Sequence, residues 1–238
     1  TVARPLLGLR RSELRQYLEA IGARWIEDPS NEDSQFERIR LRQEAYPEGG
    51  PAEHGLLSLS DQSLDAERLL RGAAWRLTER AVEITPWGGA VLDRDKFSLA
   101  ARPMAIRALE AVMLAVSGEA RLPTPDGVQA CLQALEQGEA HTQAGVLLTA
   151  EGVMGRDPGA VLGRADGGVM PLSLELSEGD FGLFDGRFEI HADTACRIEA
   201  LGDRPPPDGV ELSNVPSSLR QSLTVVLASQ DGDILALP

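Results

Sequence analysis

The sequence predicts an α+β protein of more than one domain. Three observations carry that expectation. Helical periodicity runs through residues 1–46 and 56–138, apolar–polar alternation dominates the last third, and a glycine- and proline-punctuated break interrupts both at 47–55. A chain of 238 residues, 42% of them hydrophobic, is long enough to bury one large or two modest cores. The expected division is therefore a first segment 1–46, a linker 47–55, a mainly helical domain 56–160 and a mixed α/β domain 161–238.

In the first segment Leu14, Tyr17, Leu18 and Ile21 recur at helical spacing, with Ser12 as the expected N-cap and Gly22 as the stop. Trp25-Ile26-Glu27-Asp28-Pro29-Ser30-Asn31 then reads as an extended piece entering a turn, because the residue before proline avoids the helical region. A second helix is expected from about residue 34 to 44, with Ser30 as its cap. Leu70, Ala73, Ala74, Leu77 and Ala81 mark the face of a long helix. Residues 84–92 suit a hairpin about Trp87-Gly88-Gly89.

Pro103 opens a helix whose face is Ile106, Leu109, Met113 and Val116. Thr124-Pro125-Asp126 starts another, with Val128, Cys131, Leu132 and Leu135 turned inward. A second hairpin is expected across Ala150-Glu151-Gly152. Later strands are expected at Leu172–Leu176, Phe188–His191, Cys196–Leu201, Leu223–Ala228 and Ile234–Leu237, with residues 202–209 as a surface loop.

Composition narrows the chemistry. The net charge is −14, which opposes sequence-independent nucleic-acid binding except at local basic clusters. Lys96 is the only lysine, so positive charge comes from arginine. No apolar run is long enough to span a membrane, and the first residues lack a signal-peptide pattern, so a cytoplasmic location is expected. Cys131 and Cys196 are far apart and outside any C-x-x-C pair, which predicts buried reduced thiols and no metal site.

The phosphate-binding, dinucleotide-binding and nucleophile-elbow patterns are absent. His54 in the linker, His141 beside a polar turn and His191 in a strand are scattered, and read as surface or capping residues. Glu27-Asp28 and Glu32-Asp33 read as turn-solvating acids rather than a cation site. Trp75 is expected in the core.

One segment carries a chemical suggestion. Arg38 and Arg42 are four apart and share a helix face, with Arg40 elsewhere. Beside an asparagine-containing turn, such a face suits a phosphate or a nucleotide edge. Pairing with Glu37, Glu44 or the turn acids accounts for the same residues, and composition alone leaves both readings standing.

The set Arg4-Pro5-Leu6-Leu7-Gly8, Glu13-Leu14, Trp25-Ile26-Glu27-Asp28-Pro29-Ser30-Asn31 and Phe36-Glu37-Arg38-Ile39-Arg40-Leu41-Arg42 resembles the tRNA(Ile)-lysidine synthetase family over about 40 residues in register. Looser matches follow at Val91-Leu92-Asp93-Arg94, from Gly145 to Arg156, and at Phe184-Asp185-Gly186-Arg187-Phe188. Arg38 and Arg42 fall on the family's two arginines, and Ile39 stands where the family usually has asparagine.

The resemblance implies conversion of wobble cytidine to lysidine: ATP adenylates the base carbonyl oxygen, and the lysine amine displaces AMP. It implies the tail of an α/β nucleotide-binding domain at 1–46 and a helical tRNA-binding domain at 56–160. Asn31, Arg38 and Arg42 would face the substrate, and Asp28 would shape the turn. Implied partners are tRNA(Ile) and, in the full enzyme, lysine, with a homodimer left open. ATP with magnesium is the family's cofactor, and none is expected to bind this chain alone, because the S-G-G-x-D-S loop of the family does not occur in it. No catalytic residue is assigned. The competing reading is a protein-interaction module with no nucleic-acid role, which the acidic charge favours.

Overall fold

A computed structural model describes residues 4–31, 33–41, 50–163, 168–207, 209–228 and 232–237. The architecture mixes α and β, and the chain falls into two compact units, 1–64 and 65–238.

In the first unit, helix α1 (Arg11–Ala20) follows the expected apolar spacing and ends before Gly22, whose φ of 67° supplies the left-handed stop. Its start differs from expectation. The N-cap is Arg10, and Glu13 reaches back to accept a hydrogen bond from the Arg10 backbone N–H at 2.7 Å. A glutamate at the third helical position thus satisfies the backbone donor at the cap, and Ser12 lies inside the first turn. None of the residues of α1 is buried.

Pro29–Asn31 forms a single 3-10 turn, and α2 (Glu37–Arg40) starts from an extended Phe36. Ser30 is consumed by the turn and does not cap α2. The expected continuation of that helix to 44 lies outside the described residues beyond Leu41.

Helix α3 (Pro51–Ala81) overturns part of the expected linker: residues 51–55 are its first turn and a half, and His54 is helical. Proline is no obstacle there, because a helix's first N–H groups have no intrahelical partner. Residues 47–49 of that linker lie outside the described residues.

In the second unit, α3 turns Ala74 and Ala81 inward, as its spacing predicts. Strands β1 (Val82–Ile84) and β2 (Ala90–Leu92) form the hairpin about Trp87-Gly88-Gly89. Helices α4 (Arg94–Leu99), α5 (Arg102–Ser117) and α6 (Pro125–Gln137) follow, then β3 (His141–Gln143), β4 (Val146–Leu148) and β5 (Val153–Arg156). Thr124 Oγ1 caps α6 by accepting from the Gly127 N–H at 3.2 Å. Pairing of β2 with β5 joins the two hairpins into one antiparallel sheet, ordered β1-β2-β5-β4-β3. The region expected to be mainly helical therefore contains a five-stranded sheet, and His141 is in a strand. Phe97, Leu109, Met113, Leu132, Leu135, Leu148 and Met154 form the core between the helices and that sheet.

After the short α7 (Pro158–Val161), β6 (Ser173–Leu176), β9 (Cys196–Ala200), β10 (Thr224–Ala228) and β11 (Ile234–Ala236) form a sheet ordered β11-β10-β9-β6. Strands β7 (Phe181–Phe184) and β8 (Phe188–His191) make a separate hairpin, and α8 (Ser217–Arg220) precedes β10. Two further apolar clusters fill this end, one around Leu219, Val225 and Leu227, the other around Phe184 and Ile198.

Cys131 on α6 and Cys196 on β9 are buried free thiols, as expected. Burial pushes the Cys131 thiol up to about 12, so it stays protonated at neutral pH and is a poor nucleophile. Cys131 is expected to resist a thiol reagent at pH 8 in the folded chain and to react at once in denaturant, with incorporation read by mass spectrometry. Rapid labelling of Cys131 in the native state would contradict this burial.

Candidate functional site

In the first unit the conspicuous acids of the Trp25–Asn31 segment are engaged in shaping it. Glu27 accepts from the Trp25 indole N–H at 2.7 Å and pairs with Arg15 and, at 3.4 Å, with Arg11. The two arginines are four apart on α1 and so reach the same carboxylate. The indole hydrogen bond, then Arg15 and Arg11, hold the Glu27 carboxyl below the usual range. Asp28 Oδ1 accepts from the Ser30 N–H at 2.9 Å, closing the turn, and bonds from Ser30 lower its pKa, with Arg38 contributing charge. Asp28 is a turn-shaping residue, as expected.

Asn31 lies half-buried at the end of that turn, and its N–H donates to the Asp28 carbonyl at 3.0 Å. Arg38 is exposed, with its guanidinium 5.9 Å from the Phe36 ring centroid. Among the described residues it forms no ion pair with Glu37 or the turn acids, although its charge is felt at Asp28. Arg40 is also exposed, while Ile39 between them is only 2% exposed and anchors α2. Arg42 lies outside the described residues, so the shared Arg38–Arg42 face has no structural counterpart to compare.

The second unit contains a buried ionic cluster that sequence spacing does not reveal. The Asp185 carboxylate accepts from Arg156 Nε and Nη2 at 3.0 and 2.8 Å, and from Arg187 Nε at 3.0 Å. The three side chains are 5%, 3% and 7% exposed, for Arg156, Asp185 and Arg187. Arg156 Nη1 donates to the Gly145 carbonyl at 3.0 Å, and Arg187 Nη1 to the Gly88 carbonyl at 3.4 Å. Burial lowers the Arg187 pKa, Asp185 opposes that shift, and the neighbouring Arg156 adds to it.

The turn that presents Asp185 is tight. Asp185 has a φ of 51°, a side chain on Gly186 would collide with the Gly118 carbonyl at the end of α5, and one on Gly118 with the Asp185 carbonyl. Two loosely matched sequence segments, from Gly145 to Arg156 and Phe184 to Phe188, thus meet in one ionic lock whose role is structural. Asp93 and Arg94 are structural too. Asp93 Oδ1 caps α4 by accepting from the Lys96 N–H at 3.0 Å, and Arg94 Nη2 donates to the Ala150 carbonyl.

Along α3, Arg68 pairs with Asp65 at 3.2 Å and Arg71 with Glu67 at 3.5 Å, while Arg107 of α5 bridges Glu67 and Glu110 at 3.0 and 2.9 Å. Those carboxylates hold the Arg107 pKa up. Trp75 departs from expectation: it is 65% exposed, because the buried position of that helical turn is occupied by Ala74. Trp87 packs against the C-terminal apolar cluster. His191 stacks on Phe181 at 5.7 Å and lies 3.1 Å from Glu189, an exposed arrangement without an adjoining nucleophile. Among the described residues, no cluster of three or more His, Cys, Asp or Glu side chains is suited to a metal ion, and no helix is long and apolar enough to cross a membrane.

Residues 1–49 match a family model described as the PP-loop domain. Over 98% of its length the chain is 31% identical to the tRNA(Ile)-lysidine synthase of Caulobacter vibrioides, covering 51% of that protein. It is 30% identical over 79% of its length to the tRNA(Ile)-lysidine synthase of Rhizobium meliloti, covering 39%. A 44-residue stretch, 18% of the chain, is 57% identical to the Bartonella henselae protein of the same name, covering 9% of it. The chain spans about half the length of the first of these relatives and less of the others. The similarity to tRNA(Ile)-lysidine synthases extends along nearly the whole chain, and the PP-loop match takes in the Trp25–Arg40 segment.

Proposed function

We propose that this chain is the substrate-binding portion of an ATP-dependent enzyme that converts the wobble cytidine of tRNA(Ile) to lysidine. The observation that carries the reading is 31% identity to a tRNA(Ile)-lysidine synthase along 98% of the chain. In this reading residues 1–46 are the tail of an α/β nucleotide-binding domain, 56–160 bind tRNA, and 161–238 form the C-terminal domain. Asn31, Arg38 and Arg42 face the substrate: the arginines offer charge-assisted donors to phosphate or base, and the Asp28–Ser30 turn fixes where Asn31 sits. Lysine and ATP belong to the reaction of the whole enzyme. The residues described here do not build a nucleotide-phosphate cradle or a magnesium site, so no step through ATP is assigned to them.

Two measurements test this. The purified 238-residue chain is expected to catalyse no ATP–pyrophosphate exchange, with or without tRNA and lysine, since a glycine-rich loop that cradles phosphates is missing from it. Lysidine formation by the chain alone would sink that expectation.

The second measurement is tRNA affinity as a function of salt. A net charge of −14 repels a polyanion at long range, so only local clusters can hold phosphates. Arg68, Arg71, Arg76 and Arg80 on α3 are the candidates. Asp65 and Glu67 partly neutralise the first two. With three or four phosphates engaged, the log–log salt slope should lie near −2 to −4, at roughly 0.7–0.9 per contact. Tight, salt-insensitive binding would contradict this picture. No binding even at low salt would favour the interaction-module reading.

A further inference from the structure

A groove between α3 and α5 lies apart in sequence from the residues of the Trp25–Arg40 segment. Its volume is 520 Å³, the size of a pocket for a small planar ligand. Trp75 on α3 and the small side chains of Ala108, Ala111 and Ala115 on α5 line it together. Indole and alanines make a mostly apolar slot. Trp75 is 65% exposed, although its large indole is a side chain that folding usually buries. The charged end of the groove is balanced: Arg71 and Arg107 donate, while Glu67 and Glu110 accept. A bare phosphate finds no net positive charge there. A nucleobase, with two apolar faces and an edge bearing both donors and acceptors, matches the slot and its end together.

We infer that this groove seats an unpaired nucleobase of the RNA, stacked on Trp75, with its edge toward the Arg71–Glu67–Arg107–Glu110 group. The inference rests on the tRNA-binding reading above and adds to it a site and a residue for base stacking. Stacking of a base on an aromatic side chain is indifferent to base identity and demands an unpaired strand. The site therefore selects single-stranded over duplex RNA.

The test uses the 238-residue chain at low salt. Affinities are measured for a single-stranded RNA oligomer, a blunt RNA duplex of equal length and a tRNA(Ile) transcript. W75A and W75L are expected to lose about tenfold in affinity for the single strand and little for the duplex, while W75F stays within about threefold of the parent. W75L retains apolar bulk without a π-face, so it separates stacking from simple burial. Melting temperatures should stay close to the parent's, because the side chain is mostly exposed.

If the parent chain binds none of the three RNAs, the tRNA reading fails and this site with it. If the parent binds tRNA and the single strand but W75A and W75L bind equally well, this site alone is overturned, and the groove is left to a partner such as an apolar helix. Loss in W75F as large as in W75A also overturns stacking.

Discussion

Replacing Asp185 with alanine is expected to destabilise the second unit by about 3–5 kcal/mol, the usual cost of removing one partner from a buried ionic group. The magnitude follows from what remains. Arg156 and Arg187 are almost fully buried, and both guanidiniums rest on this carboxylate. Without it Arg156 retains, among the described residues, the Gly145 carbonyl and a half-exposed Glu119 at 3.4 Å. Arg187 retains a 3.4 Å bond to the Gly88 carbonyl and its contact with the Phe188 ring at 4.9 Å. Two like charges then face each other in a poorly solvated place, which costs far more than the pairing itself contributes.

Asp185→Asn keeps one acceptor and the shape but loses the charge, so it should fall between. Urea unfolding of the parent and both variants reads the effect. A loss below about 1 kcal/mol for the alanine variant would mean that water reaches the cluster, and that its burial in the folded chain is incomplete. Hydrogen exchange should show the β7–β8 hairpin opening first, since the lock fixes that hairpin's turn against α5 and β5.

The local grammar of this chain was largely readable in its residues. Thr124-Pro125-Asp126 opens a helix because a hydroxyl cap, a proline and a first-turn acid each satisfy or spare an orphan N–H, and α6 starts there. The inward faces of α5 and α6 follow from 3.6-residue periodicity, and Leu109, Met113, Leu132 and Leu135 are all buried. What periodicity cannot report is which distant pieces meet. Hairpins at 84–92 and 146–154 are each legible, but the pairing of Ala90 with Met154 that fuses them is a tertiary fact. The Arg156–Asp185 contact likewise spans 29 positions.

Proline misled at residue 51, where it begins a helix inside the expected linker 47–55. Trp75 misled because apolarity predicts burial only when no smaller neighbour already fills the inward position, and Ala74 does. In the Trp25–Arg40 segment, the spacing of Arg38 left ion pairing and ligand binding equally open. Around it Glu27 is taken by Trp25, Arg11 and Arg15, and Asp28 by Ser30, while Glu32 and Glu44 lie outside the described residues, so the arrangement does not choose between the two.

Arg38→Ala is expected to lower lysidine formation by about ten- to a hundredfold, in an enzyme of the family that also supplies the S-G-G-x-D-S loop. That range corresponds to about 1.5–3 kcal/mol, the worth of a charge-assisted hydrogen bond to a substrate. The expectation follows from the proposed substrate-facing role. Arg38 is exposed, stacks only distantly on Phe36 and makes no ion pair among the described residues, so folding gains little from it. A side chain that stability does not require is free to be held for a ligand. Its neighbour Ile39 provides the contrast: Ile39→Ala empties a buried position at 2% exposure and should lower the melting temperature, with activity falling only as the protein unfolds.

Arg38→Lys keeps the charge but not the planar two-pronged donor, and should recover part of the rate if the contact is to a phosphate and little if it is bidentate to a base edge. Arg42→Ala is expected to behave as Arg38→Ala does. Steady-state lysidine formation and thermal melting, run side by side, decide the matter. Should Arg38→Ala cost several degrees of melting temperature while turnover stays normal, the arginine serves the fold, and its electrostatic reach toward Asp28 is the part of the arrangement that matters.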